Sequence, residues 1–122
     1  MKLKMSLLPG EFAVCRLAPE GSIDWAKGEF FSITKTRDEL SVVCLQSLVP
    51  ADVKHESNWS ILKIEGPLDF SLIGILSKIS SVLAEKEISI FAISTFDTDY
   101  ILVKSDKLTE AKDALKEVGI IF

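Results

Sequence analysis

Residues 88–104 read I-S-I-F-A-I-S-T-F-D-T-D-Y-I-L-V-K, with two apolar runs on either side of a hydroxyl-rich, doubly acidic segment. Runs of this length that are rich in isoleucine, phenylalanine and valine predict β-strands, here at 88–94 and 100–104. The segment between them carries Asp97 and Asp99, although Asn-Gly or Asp-Gly forms a tight turn more readily. The sequence therefore predicts a β-hairpin whose two acids are candidates for a role beyond the turn.

A strand and a helix are predicted before this hairpin. Residues 59–65 read W-S-I-L-K-I-E and predict a strand, which Gly66 and Pro67 would end. Asp69 stands where the N-cap of a helix belongs. Apolar residues then recur three and four positions apart between residues 72 and 83, which is the spacing of one helical face.

A helix and a strand are predicted after the hairpin. Ser105 and Asp106 can cap a second amphipathic helix, and Gly119 is suited to end it because glycine readily adopts the left-handed conformation found there. The sequence closes on I-I-F at 120–122, a short final strand. The predicted order is β-α-β-β-α-β. We therefore expect an α+β fold of the ferredoxin-like type, with an antiparallel sheet and both helices on one face.

The first half of the chain resembles the second when the two are aligned. Residues 31–43 match 91–103 without a gap at an offset of sixty, with Phe, Ile, a hydroxyl, an acid and Val in step. Residues 12–17 match 59–64 at a smaller offset, so the first half is shorter by about one helix. Chance similarity between two apolar hairpins is the alternative explanation. The predicted organisation is a reduced unit at 1–50, a connector at 51–58 and a complete unit at 59–122.

Charge and hydropathy disfavour two kinds of partner. The chain has 122 residues, with 14 Lys and Arg against 18 Asp and Glu, so its net charge is -4. The basic residues are scattered, which disfavours nucleic acid and anionic membranes as partners. Pro9 and Gly10 interrupt the short apolar run near the start, and no run of apolar residues is long enough to cross a bilayer. We expect neither a signal peptide nor a membrane span.

The two cysteines and the single histidine give no sign of a metal or catalytic centre. Cys15 and Cys44 lie in apolar, strand-like runs without a CxxC motif, which is typical of buried free thiols in a reducing cytosol. His55 lies in the polar segment K-H-E-S-N and lacks the companions that a zinc site or a catalytic triad needs. We therefore expect a cytoplasmic protein with an exposed His55 and with no catalytic residue, metal or cofactor.

Two motifs carry a resemblance to a known family. The segment G-P-L-D-F-S-L-I-G at 66–74 and the hairpin S-T-F-D-T-D-Y at 94–100 together resemble the ACT domain. The segments 8–17 and 34–44 are similar to the amino-terminal unit of small bacterial ACT proteins. Amino-acid-sensing subunits of animals and the regulatory part of aspartate kinases are similar as well. The resemblance implies a non-catalytic, regulatory module that binds an amino acid where two ACT units meet side by side.

The resemblance also implies where the ligand binds. One wall is the predicted helix start, and the facing wall is the strand end with its acidic loop. The first wall comprises Pro67, Leu68, Asp69, Phe70, Ser71 and Leu72. The second wall comprises Ile93, Ser94, Thr95, Phe96, Asp97, Thr98 and Asp99. Their partners in the first half, which are candidates for a second, pseudo-equivalent site, are Thr34, Thr36, Glu39 and Ser41.

These residue types suit a zwitterionic amino acid. Unpaired backbone N–H groups at a helix start can bind its carboxylate, because they lie at the positive end of the helix dipole. One of Asp97 and Asp99 can accept hydrogen bonds from its ammonium group. The neighbouring hydroxyls add contacts, and Phe96 can shield the site from water. Each residue also has a simpler explanation: Asp69 is a plain helix cap, the two acids are solvated turn residues, and Phe96 is a core or interface aromatic.

Four functions compete at this level, and an amino-acid-binding regulatory module is favoured. A structural dimerisation domain that has lost its ligand is the main alternative. An enzyme is disfavoured because the two acids have no histidine, phosphate loop or metal-ligand spacing beside them. An RNA-binding sheet would need exposed aromatic residues and a basic surface. The apolar strand near 88–93 would be an exposed sheet edge unless it joins a second unit, either within the chain or in a C2 dimer. We expect a homodimer.

Overall fold

The structure is a computed structural model that describes residues 3–65 and 74–122. These residues form strands and helices in the order that the sequence predicts, with additional strands in the first half. The strands are β1 (Leu3–Leu7), β2 (Phe12–Leu17), β3 (Ser32–Lys35), β4 (Leu40–Leu45), β5 (Lys54–Ile64), β6 (Ile90–Ser94), β7 (Asp99–Lys104) and β8 (Ile120–Ile121). The helices are α1 (Ile75–Glu85) and α2 (Leu108–Glu117), and short 3₁₀ turns cover Gln46–Leu48 and Ser105–Lys107.

The chain forms two compact units. The larger unit combines Met1–Pro9 with Ser60–Phe122, and the smaller unit is Gly10–Trp59. The amino-terminal strand, which the sequence assigned to a unit at 1–50, thus belongs with the carboxyl-terminal half. Strand β5 begins at Lys54, inside the segment that the sequence treated as a connector. The polar composition of K-H-E-S-N concealed this start, because strand prediction relies on apolar residues.

The sheet of the larger unit has the strand order β8-β1-β5-β7-β6. Strand β8 runs parallel to β1, with Leu3 opposite Ile120. Strand β1 runs antiparallel to β5, with Met5 opposite Ile64. The fold is α+β and ferredoxin-like, as predicted. Its one addition is β1, which lies between the strands that open and close the β-α-β-β-α-β order.

Both helices of the larger unit contribute to one core. Helix α1 supplies Ile79 and Leu83, helix α2 supplies Ala111 and Leu115, and all four are buried. Residues four apart lie on the same face of a helix, so each helix presents one apolar stripe. Burial of each large aliphatic side chain contributes about 1.5–3 kcal/mol. The strand residues of this core are Met5, Leu62, Ile64, Ile101, Val103 and Ile120.

The first described turn of α1 follows Gly74, which has φ +85°. Ile75 and Leu76 are half-buried and pack against the core of the larger unit, in agreement with the predicted apolar face. The N-cap predicted at Asp69 falls within residues 66–73, which lie outside the described residues.

The smaller unit is an antiparallel sheet in the order β3-β4-β2-β5. Residues 10–59 are all described, and no α-helix occurs among them. Loop residues cover its core instead. Trp25 packs against this core, and its Nε1–H donates to the carbonyl of Ser22 at 3.0 Å. The buried members of the core are Ala13, Cys15, Ala26, Leu40, Val42 and Cys44.

Candidate ligand-binding site

The β6–β7 hairpin places the second predicted wall of the site. Its last strand pair is Ser94 opposite Asp99, and a four-residue loop connects them. The backbone N–H of Thr95 donates to the carbonyl of Thr98 at 2.8 Å, which closes this loop. The loop is therefore tight although it contains no glycine, because side chains supply the remaining hydrogen bonds.

Two threonine hydroxyls fix the loop, one by hydrogen bonds within it and the other by a hydrogen bond to β5. The Thr95 hydroxyl donates to the carbonyl of Thr98 at 3.1 Å and accepts from its N–H at 3.3 Å. Thr98 is 5% exposed, and its hydroxyl donates to the carbonyl of Ile64 on β5 at 2.6 Å. A buried hydroxyl requires such a partner, and a net hydrogen bond contributes about 1 kcal/mol. Both hydroxyls, which the sequence offered as ligand contacts, thus fix the loop to itself and to β5.

The side chains of Asp97 and Asp99 differ in their position and in their exposure to solvent. Side chains alternate between the faces of a strand, so Asp99 shares a face with Ile101 and Val103. Those two residues belong to the core that α1 and α2 cover. Asp99 is half-buried on this helix-bearing face, whereas Asp97 is exposed in the loop. Within the described residues, no hydrogen bond or ion pair involves either carboxylate.

The remaining members of this wall are divided between the two faces. Ser94 is exposed and lies beside Asp99 on the helix-bearing face. Ile93 is half-buried and lies opposite Tyr100, so it points to the other face. Phe96 is 83% exposed. The fold thus brings Ser94 and Asp99 together and directs Ile93 away from them.

The first predicted wall comprises Pro67, Leu68, Asp69, Phe70, Ser71 and Leu72. All six lie outside the described residues. The described residues on either side of this wall are Glu65 and Gly74. Among the described side chains, no group of histidine, cysteine, aspartate and glutamate could hold a metal ion.

Glu65 is a polar residue near the site that the sequence did not single out. It follows Ile64, the residue whose carbonyl accepts from Thr98, so it lies at the same end of the sheet as the hairpin loop. Its carboxylate Oε1 accepts a hydrogen bond of 2.5 Å from the hydroxyl of Ser6 on β1. Only the pairing of β1 with β5 brings Ser6 to this position, so the sequence carried no signal for the contact.

The smaller unit contains a hairpin loop with the same hydrogen bonds. The N–H of Thr36 donates to the carbonyl of Glu39 at 2.9 Å, and the Thr36 hydroxyl contacts Asp38 N, Glu39 N and Glu39 O. Thr36 and Glu39 therefore correspond to Thr95 and Thr98. The 3₁₀ turns that follow, at Gln46–Leu48 and Ser105–Lys107, correspond in the same register.

The two closed loops align at an offset of 59 residues, with Thr36 matched to Thr95 and Glu39 to Thr98. The predicted offset of sixty was therefore wrong by one residue. A slip of one residue exchanges the two faces of a strand. Asp38 therefore corresponds to Asp97, and the position of Asp99 is occupied by Leu40, which is 4% exposed in the core. The hydroxyl pattern misled the alignment because Thr34 and Ser41 lie on the face away from the core of their hairpin, whereas Ser94 lies on the core-bearing face of the other hairpin.

The predicted second site has fewer side chains available to contact a ligand than the first site. The Thr36 hydroxyl is bonded within its own loop, and Thr34 lies opposite Ser41 in the strand pair. Glu39 is the one carboxylate among the four predicted residues. The second site stays a prediction, in which Glu39 would have to accept the ammonium group.

Both cysteines are buried and free, as the sequence predicted. Burial raises the pKa of the Cys15 thiol to about 11, and the nearby Cys44 adds to this shift. Burial also raises the pKa of Cys44. Thiols with raised pKa values are poor nucleophiles at neutral pH, because the thiolate is the reactive form. His55 is exposed, as predicted, with Nδ1 2.6 Å from the carbonyl oxygen of Val53.

The fold and the hairpin together define a ferredoxin-like α+β domain with a threonine-closed acidic loop. A family model of the ACT domain matches residues 54–117. A second family model, described as an N-terminal domain, matches residues 10–52. Because the first model matches more than half of the chain, this protein belongs to the ACT domain family.

Relatives and solved structures agree with this assignment. The cytosolic arginine sensor for mTORC1 subunit 1 of Rattus norvegicus is 30% identical over 112 residues, which cover 85% of this chain and 34% of that protein. The chain thus spans about a third of the length of the curated relatives it matches.

Two solved structures show the same fold. A protein of Agobacterium tumefaciens is 40% identical with a TM-score of 0.93, over 99% of this chain and 92% of that one. The aspartate kinase of Clostridium acetobutylicum, described as an allosteric enzyme, is 12% identical with a TM-score of 0.65, over 92% of this chain and 33% of that one. The second likeness concerns the fold alone. Within residues 3–65 and 74–122, no helix has the length and apolar character to span a membrane.

Proposed function

We propose that this protein is a non-catalytic regulatory module that binds an amino acid at the end of the β6–β7 hairpin. The ligand would lie between Ser94 and Asp99 on one side and the segment 67–72 on the other. One observation carries this proposal. Asp99 is a half-buried carboxylate on the helix-bearing face, without a hydrogen-bond or ion-pair partner among the described residues.

Asp99 is the better of the two acids for the ammonium group of a ligand. Partial burial strengthens a charge-assisted hydrogen bond, because water competes less there. Asp99 also points to the face on which α1 packs, whereas Asp97 is exposed in the loop. The sequence left the choice between these acids open, and strand alternation favours Asp99.

The loop suits a binding role because it is held in place before a ligand arrives. Thr98 ties it to β5, and Thr95 ties its two ends together. A site that is already ordered loses less conformational entropy on binding, which favours affinity. The ligand carboxylate would bind to backbone N–H groups within 67–72, as the family resemblance implies.

A regulatory effect would follow from a difference in ligand affinity between two arrangements of units. A ligand shifts an equilibrium only by its differential affinity for the two states. We propose that the protein is a cytoplasmic homodimer and that binding acts allosterically on contacts between units. Arginine is the first ligand to test, because the rat relative is named as a cytosolic arginine sensor.

A thermal-shift screen against arginine and the other standard amino acids tests this function. A ligand at 100 times its dissociation constant stabilises the folded state by about 2.7 kcal/mol, which raises the melting temperature visibly. Arginine amide and N-acetylarginine are informative controls, because each removes one charge of the zwitterion. Binding of one standard amino acid, confirmed by calorimetry, is the expected result.

A structural dimerisation domain without a ligand is the second candidate. It is favoured by the hydrogen bonds that the hydroxyls of Thr95 and Thr98 make to backbone carbonyls of the protein. Because both hydroxyls already have partners, their presence does not require a ligand. If no amino acid shifts the melting temperature while the protein remains dimeric, this alternative replaces the sensing function.

A further inference from the structure

We infer that Cys15 and Cys44 form a two-thiol site for trivalent arsenic, in which one arsenic atom bridges strands β2 and β4 of the smaller unit. The inference involves neither the β6–β7 hairpin nor the binding of an amino acid. The chain has two cysteines, and both are buried and free. The proposed function uses neither thiol.

The register of β2 against β4 places the two thiols on one face of the sheet. Cys15 lies opposite Val42, and Ala13 lies opposite Cys44. Residues two apart along a strand share a face, so Cys15 and Cys44 are diagonal neighbours across this strand pair. Both side chains belong to the core of the smaller unit, with exposures of 2% and 0%. The two sulfurs therefore lie within reach of one bridging atom.

The diagonal spacing disfavours a disulfide and fits a longer bridge. Gln46 N bonds to Glu11 O, and Glu11 lies an even number of residues from Cys15, so Cys15 opposite Val42 is also a hydrogen-bonded pair, the wider kind. Diagonal neighbours are about 7–8 Å apart, whereas the Cα atoms of a disulfide are usually less than about 7 Å apart. Two bonds of about 2.3 Å to a pyramidal central atom hold sulfurs about 3.5 Å apart, against about 2 Å in a disulfide.

The surroundings of the two thiols favour a neutral reagent over a cation. Burial raises the pKa of both thiols, so they are protonated at neutral pH. A cation would have to displace two protons in an apolar core, whereas arsenous acid is itself uncharged near neutral pH. Structural zinc takes four ligands, and the described residues contain no such group. The other buried members of this core, which carry no charge, are Ala13, Ala26, Leu40 and Val42.

The binding reaction conserves charge and oxidation state. Each thiol condenses with one hydroxyl of arsenous acid: an S–H bond and an As–O bond break, and an As–S bond and a water molecule form. Two such steps give a bis-thiolate that keeps one As–OH group, and two waters leave. Arsenic stays trivalent, so no oxidant or reductant takes part. The product is neutral, which favours its burial in an apolar core.

The loop at 18–31 lies between solvent and the two thiols. It joins β2 to β3, and its residues Ile23, Trp25 and Ala26 belong to or pack against this core. The Trp25 Nε1–H donates to the Ser22 carbonyl and the Ala26 N–H donates to the Ile23 carbonyl, so these bonds join loop residues to one another. Such a loop opens locally at a lower free energy than the sheet unfolds. We therefore expect arsenic to bind slowly, at a rate that the Trp25 contacts limit.

The first experiment counts arsenic atoms and thiols in the wild-type protein. Arsenite is added to the reduced chain, and native mass spectrometry should show one arsenic atom per chain. Alkylation should find both thiols blocked together. The bridge should raise the melting temperature by at least about 5 °C, because it cross-links two strands. Dithiothreitol, which also binds arsenic through two sulfurs, should remove it, whereas mercaptoethanol at the same thiol concentration should not.

The second experiment removes one sulfur at a time. Cys15→Ala and Cys44→Ala should each weaken arsenic binding at least about a hundredfold, because the second bond of a chelate forms at a high effective concentration. Melting curves without arsenite show whether both variants fold. His55→Ala is the matched control and should bind as the wild type does, since His55 lies opposite Cys15 but offers no thiol. Trp25→Ala should keep the stoichiometry and speed the binding.

The inference fails on any of three results. The folded wild type takes up no arsenic at about 1 mM arsenite, which corresponds to negligible affinity. A folded single-cysteine variant binds as tightly as the wild type. Oxidised dithiothreitol joins Cys15 to Cys44 directly in the native protein, which would place the sulfurs closer than the strand register does. Because none of these measurements uses an amino acid, the thermal-shift screen tests the proposed function separately.

Discussion

The hydroxyl of Thr98 donates a 2.6 Å hydrogen bond to the carbonyl of Ile64, and it joins the acidic hairpin loop to the end of β5. These residues are 34 positions apart in the chain. The contact fixes the loop beside the point where β5 leads into residues 66–73. It is the geometric basis of the proposed site, because it sets the positions of Asp97 in the loop and of Asp99 at the start of β7.

Replacement of Thr98 by valine tests the structural importance of this bond. Thr98→Val keeps the shape of the side chain but leaves the Ile64 carbonyl without its buried donor, so it should lower the free energy of unfolding by about 1–3 kcal/mol. Thr98→Ser should recover part of the loss. Thr109→Val, at an exposed position of α2, is the control and should cost less than about 0.5 kcal/mol. Urea denaturation measures all three.

The two acids should respond differently to neutralisation if an amino acid binds. Asp99→Asn should weaken binding at least about tenfold, because a charged hydrogen bond contributes about 1.5–3 kcal/mol. Asp97→Asn should weaken it less than about threefold, since an exposed charge interacts weakly. Asp38→Asn, the equivalent loop position of the smaller unit, is the control. Titration calorimetry gives the constants, and equal losses at both acids would contradict the assignment.

The buried thiol of Cys15 predicts a loss of stability in alkaline solution. Its pKa is raised from an ordinary 9.0 to about 11 in the folded protein, so the folded state holds the proton more tightly than the unfolded state. This contribution is fully present below pH 9 and is lost as the pH rises to about 11. The free energy of unfolding of wild type minus that of Cys15→Ala should therefore decline between these values. A difference independent of pH would contradict the prediction.

The positive φ of Asn58 limits which residues can replace it in β5. Asn58 has φ +66°, a conformation that costs a β-branched residue about 1–2 kcal/mol. Asn58→Val should therefore destabilise the protein by that amount, whereas Asn58→Gly should change the unfolding free energy by less than about 0.5 kcal/mol. The N–H that donates to Gln46 Oε1 at 2.7 Å is kept in both variants. Thermal melts compare the pair directly.

Local patterns predicted much of this fold correctly. The apolar runs around Asp97 and Asp99 gave the β6–β7 hairpin, and the spacing of Ile79 and Leu83 gave the buried face of α1. Such patterns are reliable because burial of one face imposes a period of two on strands and of 3.6 on helices. The buried state of both cysteines followed from the same argument.

Long-range pairing could not be predicted in the same way. Nothing in residues 3–7 indicates that β1 would lie between β5 and β8, because pairing partners are chosen by the whole sheet. The offset of sixty between the two hairpins failed for a related reason. The strand hydroxyls lie on opposite faces in the two hairpins, and only the closed loops at Thr36 and Thr95 fix the true register.

By itself, the sequence determined the α+β class, the hairpin and the family resemblance, since these follow from local periodicity and from motifs a few residues long. The tertiary structure decided that the Thr95 hydroxyl is bonded inside the loop, that the Thr98 hydroxyl is bonded to β5, and that Asp99 points to the helix-bearing face. Those facts depend on strand register and on contacts between distant segments. A hydrogen bond such as that from Thr98 to Ile64 exists only after the sheet has aligned two strands that the sequence separates.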